Sequence, residues 1–284
     1  MPEQETAVRL RLGGFAVADY VVEPAVDRTL SPRPYLHPVR TLGGVAVTDA
    51  LPDDHRWHLG ASLAVQDVAG TNLWGGRTYV RGSGYTWRDD HGRIVHDGFT
   101  ARADDRLEQR LRWCDPAGAT LFDEQRELHA RPVPGRTDAW VLAVSYTLTA
   151  PPGRDVTLGS PATNGRPGGA GYGGFFWRAA PGSEPPRVFT ATAAGEAEVN
   201  GATDPWVALV SPAPRPYTLV FVGLGKGDHW FVRSTMYPGV CAAFAFARPK
   251  LVVAGTSLAG HHKVLVADGA LTATAAARLA GLVS

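Results

Sequence analysis

Two histidines three positions apart follow two acidic residues in the segment LPDDHRWHLG, residues 51–60. Imidazole titrates near neutral pH, so such a pair can take up and release protons or ligate a metal ion. His55 and His58 share a face if the segment makes one helical turn, and they diverge if it is extended. The alternative interpretation is a polar loop whose histidines hydrogen-bond to backbone carbonyls. The segment has the period of neither a helix nor a strand, so both interpretations stay open.

A second polar cluster lies between prolines in SPRPYLHPVR, residues 31–40. If this segment is an extended strand, Arg33, Tyr35 and His37 lie on one face. An aromatic ring flanked by two hydrogen-bonding groups is a reasonable set to face a sugar. The alternative is an exposed edge strand that its prolines protect from pairing with another chain.

The segment LFDEQRELHA, residues 121–130, places charges on an apolar face. By alternation, Glu124 and Arg126 share one face with Phe122 and Leu128. An unpaired charge on such a face costs free energy. Glu124 and Arg126 therefore either form a structural ion pair or line a polar pocket, where a carboxylate with a raised pKa can act as a base.

Aromatic residues next to polar ones occur in NLWGG, YGGFFWR and GDHWFVR. Indole and phenol rings can stack on the C–H faces of a sugar ring, and Arg, Asn and His side chains can bind its hydroxyl groups. The residues that this combination predicts as sugar contacts are Asn72, Trp74, Tyr172, Arg178, His229 and Arg233. Tryptophans buried in the core are the alternative, which we favour for Trp177 and Trp230.

The rest of the chain predicts an all-β fold. About fourteen short segments with a period of two are separated by turn sequences such as DPAG and PPGRD. This pattern favours a large antiparallel β-sandwich that forms a single domain over residues 1–284. One helix is predicted at about residues 271–283, where Ala and Leu are frequent. The Gly- and Pro-rich tract at residues 163–174 predicts a loop, either over a site or mobile at the surface.

The composition argues against several classes of protein. The chain has 284 residues, with 28 Lys and Arg against 27 Asp and Glu, and 44% of them are hydrophobic. This balance predicts no surface for nucleic acid or for an anionic membrane, and no segment reaches the roughly 18 apolar residues of a membrane helix. The first ten residues lack the apolar segment of a secretory signal, and the two cysteines lie far apart. We therefore expect a cytoplasmic protein with buried, reduced thiols.

The glycines at residues 223–227 lack the spacing of a dinucleotide-binding loop, so no organic cofactor is expected.

Several of these motifs together resemble the bacterial PmoA-like family, soluble proteins whose label is inherited from methane oxygenase. The resemblance extends from about Pro34 to the C-terminal helix. It rests on RPYLHPV, PDDHRWHLG, NLWGG, the strand with Glu124 and Arg126, YGGFFWR, WFVRSTMYPGV and the closing strand VLVADG. It implies a β-supersandwich similar to galactose mutarotase, and a setting in sugar catabolism beside NAD-dependent sugar oxidoreductases. The positions that match its motif residues are His37, His55, His58, Glu124, Tyr172 and Arg178. Leu59 stands where the family more often has an arginine.

We therefore expect a carbohydrate-active enzyme that transfers protons on a sugar or keto-sugar. The expected reactions are mutarotation, epimerisation, and elimination or hydrolysis of a keto-glycoside. A carbonyl next to a C–H bond makes that hydrogen acidic, so one base and one acid are enough. The expected base is Glu124 or His58, and the expected acid is His55.

Other predicted site residues have binding roles. Arg126 and Arg178 would stabilise a developing oxyanion, and Tyr35 and Trp74 would stack on the sugar ring. The ligand is a small-molecule carbohydrate, and the sequence does not indicate an oligomeric state.

Two other functions stay open. In the first, a divalent metal ion polarises the carbonyl, and its predicted ligands are His37, His55, His58 and Glu124. The second is a non-catalytic sugar-binding or regulatory sandwich. It uses the same aromatic and arginine residues but has no need of a histidine pair beside a carboxylate.

Overall fold

The computed structural model describes residues 7–212 and 214–283, and most of them lie in antiparallel β-strands and their connections. The strands in chain order are β1 (Ala7–Leu12), β2 (Phe15–Val21), β3 (Tyr35–Val39), β4 (Ala61–Ala64), β5 (Asp67–Val68), β6 (Thr78–Val80), β7 (Gly84–Thr86), β8 (Arg93–Arg102), β9 (Arg106–Cys114), β10 (Thr120–Pro132), β11 (Ala139–Thr149), β12 (Val156–Gly159), β13 (Gly174–Arg178), β14 (Arg187–Thr190), β15 (Trp206–Ser211), β16 (Tyr217–Val222), β17 (His229–Arg233), β18 (Gly239–Ala243), β19 (Lys250–Val252) and β20 (Ser257–Asp268). The helices are a 3₁₀ turn at Arg28–Leu30, the single-turn α1 (Glu196–Val199) and α2 (Ala273–Val283). Residues 1–6, part of the segment in which no secretory signal is predicted, lie outside the described residues.

Two large antiparallel sheets form the sandwich. The seven-stranded sheet has the order β1-β2-β3-β4-β13-β18-β17, and the eight-stranded sheet has the order β14-β15-β16-β20-β11-β10-β9-β8. A three-stranded sheet (β19-β12-β5) and the hairpin β6-β7 are added at the side. Side chains such as Leu63 and Trp177 of the first sheet and Leu142 and Val264 of the second form the main core. The prediction of a large antiparallel β-sandwich with one C-terminal helix is confirmed.

Burial along the strands follows from what covers each face. In β10, Phe122 and Leu128 are buried while Asp123 and Gln125 are exposed, which is the alternation that its sequence predicts. In β15 and β16 every residue is buried. These two strands lie in the half of the eight-stranded sheet that is covered on both faces, so they lack a polar face.

Helix α2 covers the second face of this half of the eight-stranded sheet. Ala276, Leu279, Ala280 and Val283 pack against the outer face of the eight-stranded sheet. The helix begins at Ala273, slightly later than predicted, because Thr272 caps it: the Thr272 Oγ1 accepts the N–H of Ala275 at 3.2 Å. In the part of the chain that the structure describes, no helix is long and apolar enough to cross a membrane.

The outer face of the seven-stranded sheet carries a further apolar layer over β13, β17 and β18. Phe176, Phe231 and Cys241 belong to this layer. Residues 51–60, before β4, and residues 160–173, before β13, pass over it. Cys114 and Cys241 are both buried free thiols, as predicted. This face, and not the core between the sheets, positions the candidate site.

One core residue makes the fold sensitive to acid. His262 of β20 stacks on Phe175 of β13, with ring centroids 5.3 Å apart, and its Nε2 lies 2.9 Å from the hydroxyl of Tyr146. Burial lowers the pKa of His262 to about 4, and the charge of His261 acts in the same direction.

We expect the free energy of unfolding to fall as the pH drops from about 6.5 to about 4, because only the unfolded chain binds a proton at this imidazole in that range. The stability that the neutral imidazole of His262 contributes is fully present above pH ~6.5, and about 3 kcal/mol of it is lost at pH ~4. Urea unfolding of wild type and His262→Gln at pH 7 and pH 4.5 measures it. Glutamine does not titrate, so the stability difference between the two proteins should change by about 2–3 kcal/mol, and a constant difference would contradict the prediction.

Candidate functional site

A pocket of about 380 Å³ opens on the outer face of the seven-stranded sheet. Its walls come from four parts of the chain: the loop 51–60, residues 74–87, the Gly- and Pro-rich loop, and β17 with the turn that follows it. The predicted site residues that line it are His55, His58, Trp74, Tyr172 and Arg233.

The loop 51–60 makes two consecutive tight turns. The N–H of His55 donates to the carbonyl of Pro52 at 3.1 Å, and the N–H of His58 donates to the carbonyl of His55 at 2.8 Å. The N–H of Leu51 donates to the carbonyl of His58 at 2.9 Å and closes the loop. The two imidazole rings therefore lie on the same side of the chain, stacked with centroids 4.7 Å apart and planes inclined by 14°.

His58 is the buried member of this pair, with only 1% of its surface exposed. The Nη1 of Arg178 lies 3.3 Å from the Nδ1 of His58. Burial lowers the pKa of His58 well below its ordinary value, and the charges of His55 and Arg178 add to this effect. Because a guanidinium only donates, Nδ1 is the acceptor, and the neutral ring carries its hydrogen on Nε2.

His55 is more exposed, and its Nδ1 lies 3.1 Å from the Oδ2 of Asp54. The Nη2 of Arg178 donates to both oxygens of Asp54, at 3.0 and 3.1 Å. Partial burial on its own raises the pKa of Asp54, but the hydrogen bond from His55 and the charge of Arg178 lower it overall. An ionised carboxylate only accepts, so Nδ1 of His55 carries a hydrogen, and in the neutral form of the ring Nε2 then carries a lone pair. The pair thus offers one acceptor and one donor.

Arg178 positions this loop and does not line the pocket, which corrects the expectation that it contacts the substrate oxygen. It is 4% exposed, and its guanidinium bonds Asp54 and His58. Its central carbon also lies 4.9 Å from the centroid of the Tyr237 ring. Arg178 therefore holds the histidine loop against β13.

Aromatic rings form most of the wall. The ring of Trp74 lies 4.6 Å from that of Tyr172, between centroids. The ring of Tyr237 lies 4.8 Å from His55 and 4.9 Å from His58. Burial raises the pKa of Tyr237, so its hydroxyl stays protonated. Such rings leave an apolar surface for the C–H face of a ligand.

The two glycines of NLWGG make room for the indole ring of Trp57, which is also part of the pocket wall. Gly75 and Gly76 have φ of 97° and 70°. A Cβ on Gly76 would lie 2.5 Å from the indole of Trp57. A side chain at this position would therefore displace Trp57 from the pocket wall.

Arg33 and Asn72 hold loops in place, which corrects the prediction that they bind substrate. Both are fully buried. Arg33 donates to the carbonyls of Trp57 and Trp74 at 2.9 and 3.0 Å, and burial lowers its pKa to about 9. The Oδ1 of Asn72 accepts the N–H groups of Trp74 and Gly75 at 2.9 and 2.8 Å. These bonds fix the backbone that presents the two tryptophans.

Glu124 lies between the two sheets and not at the pocket, which corrects the expectation that it acts beside the histidines. Its oxygens accept from Arg126 at 2.6 and 2.8 Å and from the indole N–H of Trp113 at 2.7 Å. Arg126 also donates to the hydroxyl of Tyr20, on the facing sheet, at 3.1 Å. Burial on its own lowers the pKa of Arg126, but the charge of Glu124 raises it above its ordinary value. The structure has the ion pair that the sequence left as one alternative, so Arg126 does not reach a substrate oxyanion either.

Three other predicted residues also lie outside the pocket lining. The Nδ1 of His37 lies 3.0 Å from the Oγ1 of Thr48, Tyr35 is buried on β3, and His229 stacks on Phe246 with centroids 5.1 Å apart. Within residues 7–212 and 214–283, no group of three or more His, Cys, Asp or Glu side chains could hold a metal ion. Of the predicted metal ligands, His55 and His58 lie together, but neither His37 nor Glu124 joins them in such a group.

Comparison with known proteins assigns the chain to a family. The sequence profile of one family matches residues 7–281, almost the whole length. The chain belongs to DUF6807, a family of unknown function. No curated protein sequence matches it significantly.

Two solved structures share a distant likeness with this DUF6807 protein. A heparan sulfate lyase HepC mutant from Pedobacter heparinus is 8% identical, with a TM-score of 0.30, over 63% of this chain and 22% of that one. The α-galactosidase from Lactobacillus brevis is 10% identical, with a TM-score of 0.40, over 93% of this chain and 39% of that one. The chain thus spans less than half of either protein. Neither match is close enough to indicate a ligand or a reaction.

Sequence reasoning missed several pocket residues of this DUF6807 chain. The most important are Trp57, Arg77, Tyr85, Trp87, Arg166 and Tyr237. The hydroxyl of Tyr85 lies 2.7 Å from that of Tyr172 and accepts from Arg166. A signal existed for Arg166, the one charged residue of a glycine-rich tract. None existed for Trp87, which reaches the pocket only because of where the β6-β7 hairpin lies.

Proposed function

We propose that this protein is a carbohydrate-active enzyme that moves protons on a sugar or keto-sugar bound in the pocket. The observation that supports this most is the stacked pair of His55 and His58 in an aromatic-walled pocket. General acid–base catalysis needs one group that accepts a proton and one that donates a hydrogen bond or a proton. Mutarotation, epimerisation, and elimination or hydrolysis of a keto-glycoside are the reactions that two such groups can perform.

His55 is the proposed base. Asp54 accepts a hydrogen bond from the Nδ1–H of His55 and thereby orients the Nε2 of that ring. The carboxylate also stabilises the imidazolium that forms when Nε2 takes a proton. His58 is the proposed donor. Its lowered pKa keeps the ring neutral, and its Nε2–H can bond to a substrate oxygen that gains negative charge. These roles reverse the prediction from the sequence, in which His58 or Glu124 is the base and His55 is the acid.

The aromatic walls favour a sugar over other small molecules. Trp57, Trp74 and Tyr237 surround the histidines, and Trp87, 55% exposed, lies at the rim. Flat apolar surfaces beside a few hydrogen-bonding groups are what a pyranose ring requires. Three predictions from the sequence stay part of this proposal: a place in sugar catabolism as a PmoA-like protein, a cytoplasmic location, and activity without an organic cofactor.

Proton NMR in D₂O tests the proposal, with the full chain and a panel of free sugars, glycosides and 3-keto glycosides. We expect wild type to accelerate exchange of a sugar C–H, conversion of anomers or cleavage of a bond. The double variant His55→Gln/His58→Gln should not do so. Equal turnover by both proteins would refute the assignment. Broadened ligand signals with both proteins and no chemistry would instead favour the non-catalytic sugar-binding sandwich.

A further inference from the structure

The pocket collects positive charge. Arg77, Arg166 and Arg233 line it together with the two histidines, and none of the described residues that line it is Asp or Glu. In a space of about 380 Å³, this charge faces whatever is bound. A neutral sugar has no group of opposite charge to match it.

Two of these guanidinium groups have no acidic partner within residues 7–212 and 214–283. Arg77 lies over the ring of Trp87, 5.8 Å from its centroid. Arg166 donates to the hydroxyl of Tyr85 and lies 4.8 Å from the centroid of its ring. Contacts with rings orient a guanidinium without neutralising it, so both keep their charge and free N–H donors for a ligand.

Arg233 is the third arginine that lines the pocket, and Glu196 neutralises its charge only weakly. Its Nε lies 3.8 Å from Oε1 of Glu196, which is beyond hydrogen-bonding distance. The other oxygen of Glu196 accepts from the backbone N–H groups of Ser234 and Thr235 at 2.7 and 2.9 Å. Glu196 therefore serves mainly to hold the turn after β17. By contrast, Arg178 behind the histidines is neutralised by Asp54 and adds little to the charge that a ligand meets.

We propose that the pocket binds a sugar that carries a carboxylate, such as a hexuronic acid or its glycoside, and that Arg77, Arg166 and Arg233 hold this carboxylate. The inference rests on the proposed function and adds the class of substrate. A guanidinium matches a carboxylate with two parallel N–H donors, while the aromatic wall contacts the sugar ring.

A carboxylate also suits the proposed base. When the hydrogen on the carbon next to it is removed, the C–H bond breaks and the proton goes to Nε2 of His55. The electron pair left behind spreads onto the carboxylate oxygens, where arginine and the Nε2–H of His58 stabilise the added charge. The step needs no oxidant or reductant.

Isothermal titration calorimetry of the full chain tests this with methyl glucuronide, galacturonide and mannuronide. Each is compared with its neutral glycoside, its methyl ester and its glycoside 6-sulfate. We expect at least one uronide to bind about tenfold or more tightly than its neutral counterparts. Arg77→Gln and Arg166→Gln should each weaken that uronide about tenfold and weaken the neutral glycoside much less. Arg88→Gln is the matched control, because Arg88 is exposed next to Trp87, pairs with Asp90 and does not line the pocket.

Equal affinity for every uronide and its neutral counterparts, or no binding, would overturn the inference. Selective binding of the 6-sulfates with the same dependence on arginine would overturn the carboxylate assignment. The calorimetry is independent of turnover. Uronide binding without chemistry, when the bound uronide is added to the NMR panel, would therefore refute the proposed function alone, and turnover of neutral sugars without a preference for acids would refute this inference alone.

Discussion

Replacing His55 by glutamine is expected to lower kcat for the sugar substrate by about 10²- to 10⁴-fold, the range over which a general base contributes. Glutamine has no group that takes up a proton at neutral pH, although it can still bond to Asp54. The side chain of His55 is 22% exposed and packs mainly on His58, Trp57 and Tyr237, so the fold should be retained. Initial rates measured by NMR give kcat and KM separately. KM should change much less than kcat, because glutamine keeps most of the contact surface.

Two substitutions at His58 distinguish its role from that of His55. His58→Gln keeps an N–H donor and should lose less activity than His58→Leu, which removes a donor worth about 10²–10³-fold. His261→Gln, an exposed histidine on the eight-stranded sheet, should leave the rate unchanged. If His55→Gln keeps full activity while His58→Gln does not, His58 is the base, as predicted from the sequence.

Replacing Glu124 by glutamine is expected to lower the free energy of unfolding by about 3–5 kcal/mol, because it leaves a buried arginine charge without a partner. Glu124 and Arg126 are 1% and 4% exposed, so water cannot solvate the remaining charge. Glutamine keeps an oxygen for the indole N–H of Trp113, so the loss reports mainly the ion pair. Urea unfolding measures it.

The double variant Glu124→Gln/Arg126→Met is the matched control. It removes both charges and should recover most of the lost stability, since replacing a whole buried pair is often close to neutral. Turnover per folded molecule should match wild type in the single and the double variant. A loss of activity of 100-fold or more in Glu124→Gln, with unchanged stability, would instead make Glu124 a catalytic base.

The fold class could be predicted from the sequence because its signals are local. Which residues of β10 are buried depends on the two-residue period of an extended chain, and Phe122 and Leu128 follow it. The same period places Glu124 and Arg126 on one face, so the sequence predicted the ion pair as an alternative. The stacking of His55 and His58 also has a local origin, because the two residues span one turn.

The composition of the site could be predicted only in part. His55, His58, Trp74, Tyr172 and Arg233 line the pocket. Others, such as Arg33, Glu124 and Arg178, have suitable chemistry but use it on the protein itself. Nothing in a short segment indicates that Arg33 bonds the carbonyls of Trp57 and Trp74 or that Arg178 bonds Asp54, since these partners lie 24 to 124 residues away.

The sequence by itself determined the all-β sandwich and the C-terminal helix, and it offered a histidine pair within one turn as one of two alternatives, because each depends on neighbours along the chain. Only the tertiary structure decided which charged groups meet. It paired Glu124 with Arg126 between the sheets and Arg178 with Asp54 behind the histidines. It also left Arg77 and Arg166 facing the pocket. The physical reason is that a buried charge must find a partner wherever the order of the strands and the path of the loops place one, while a charge beside a pocket open to solvent need not.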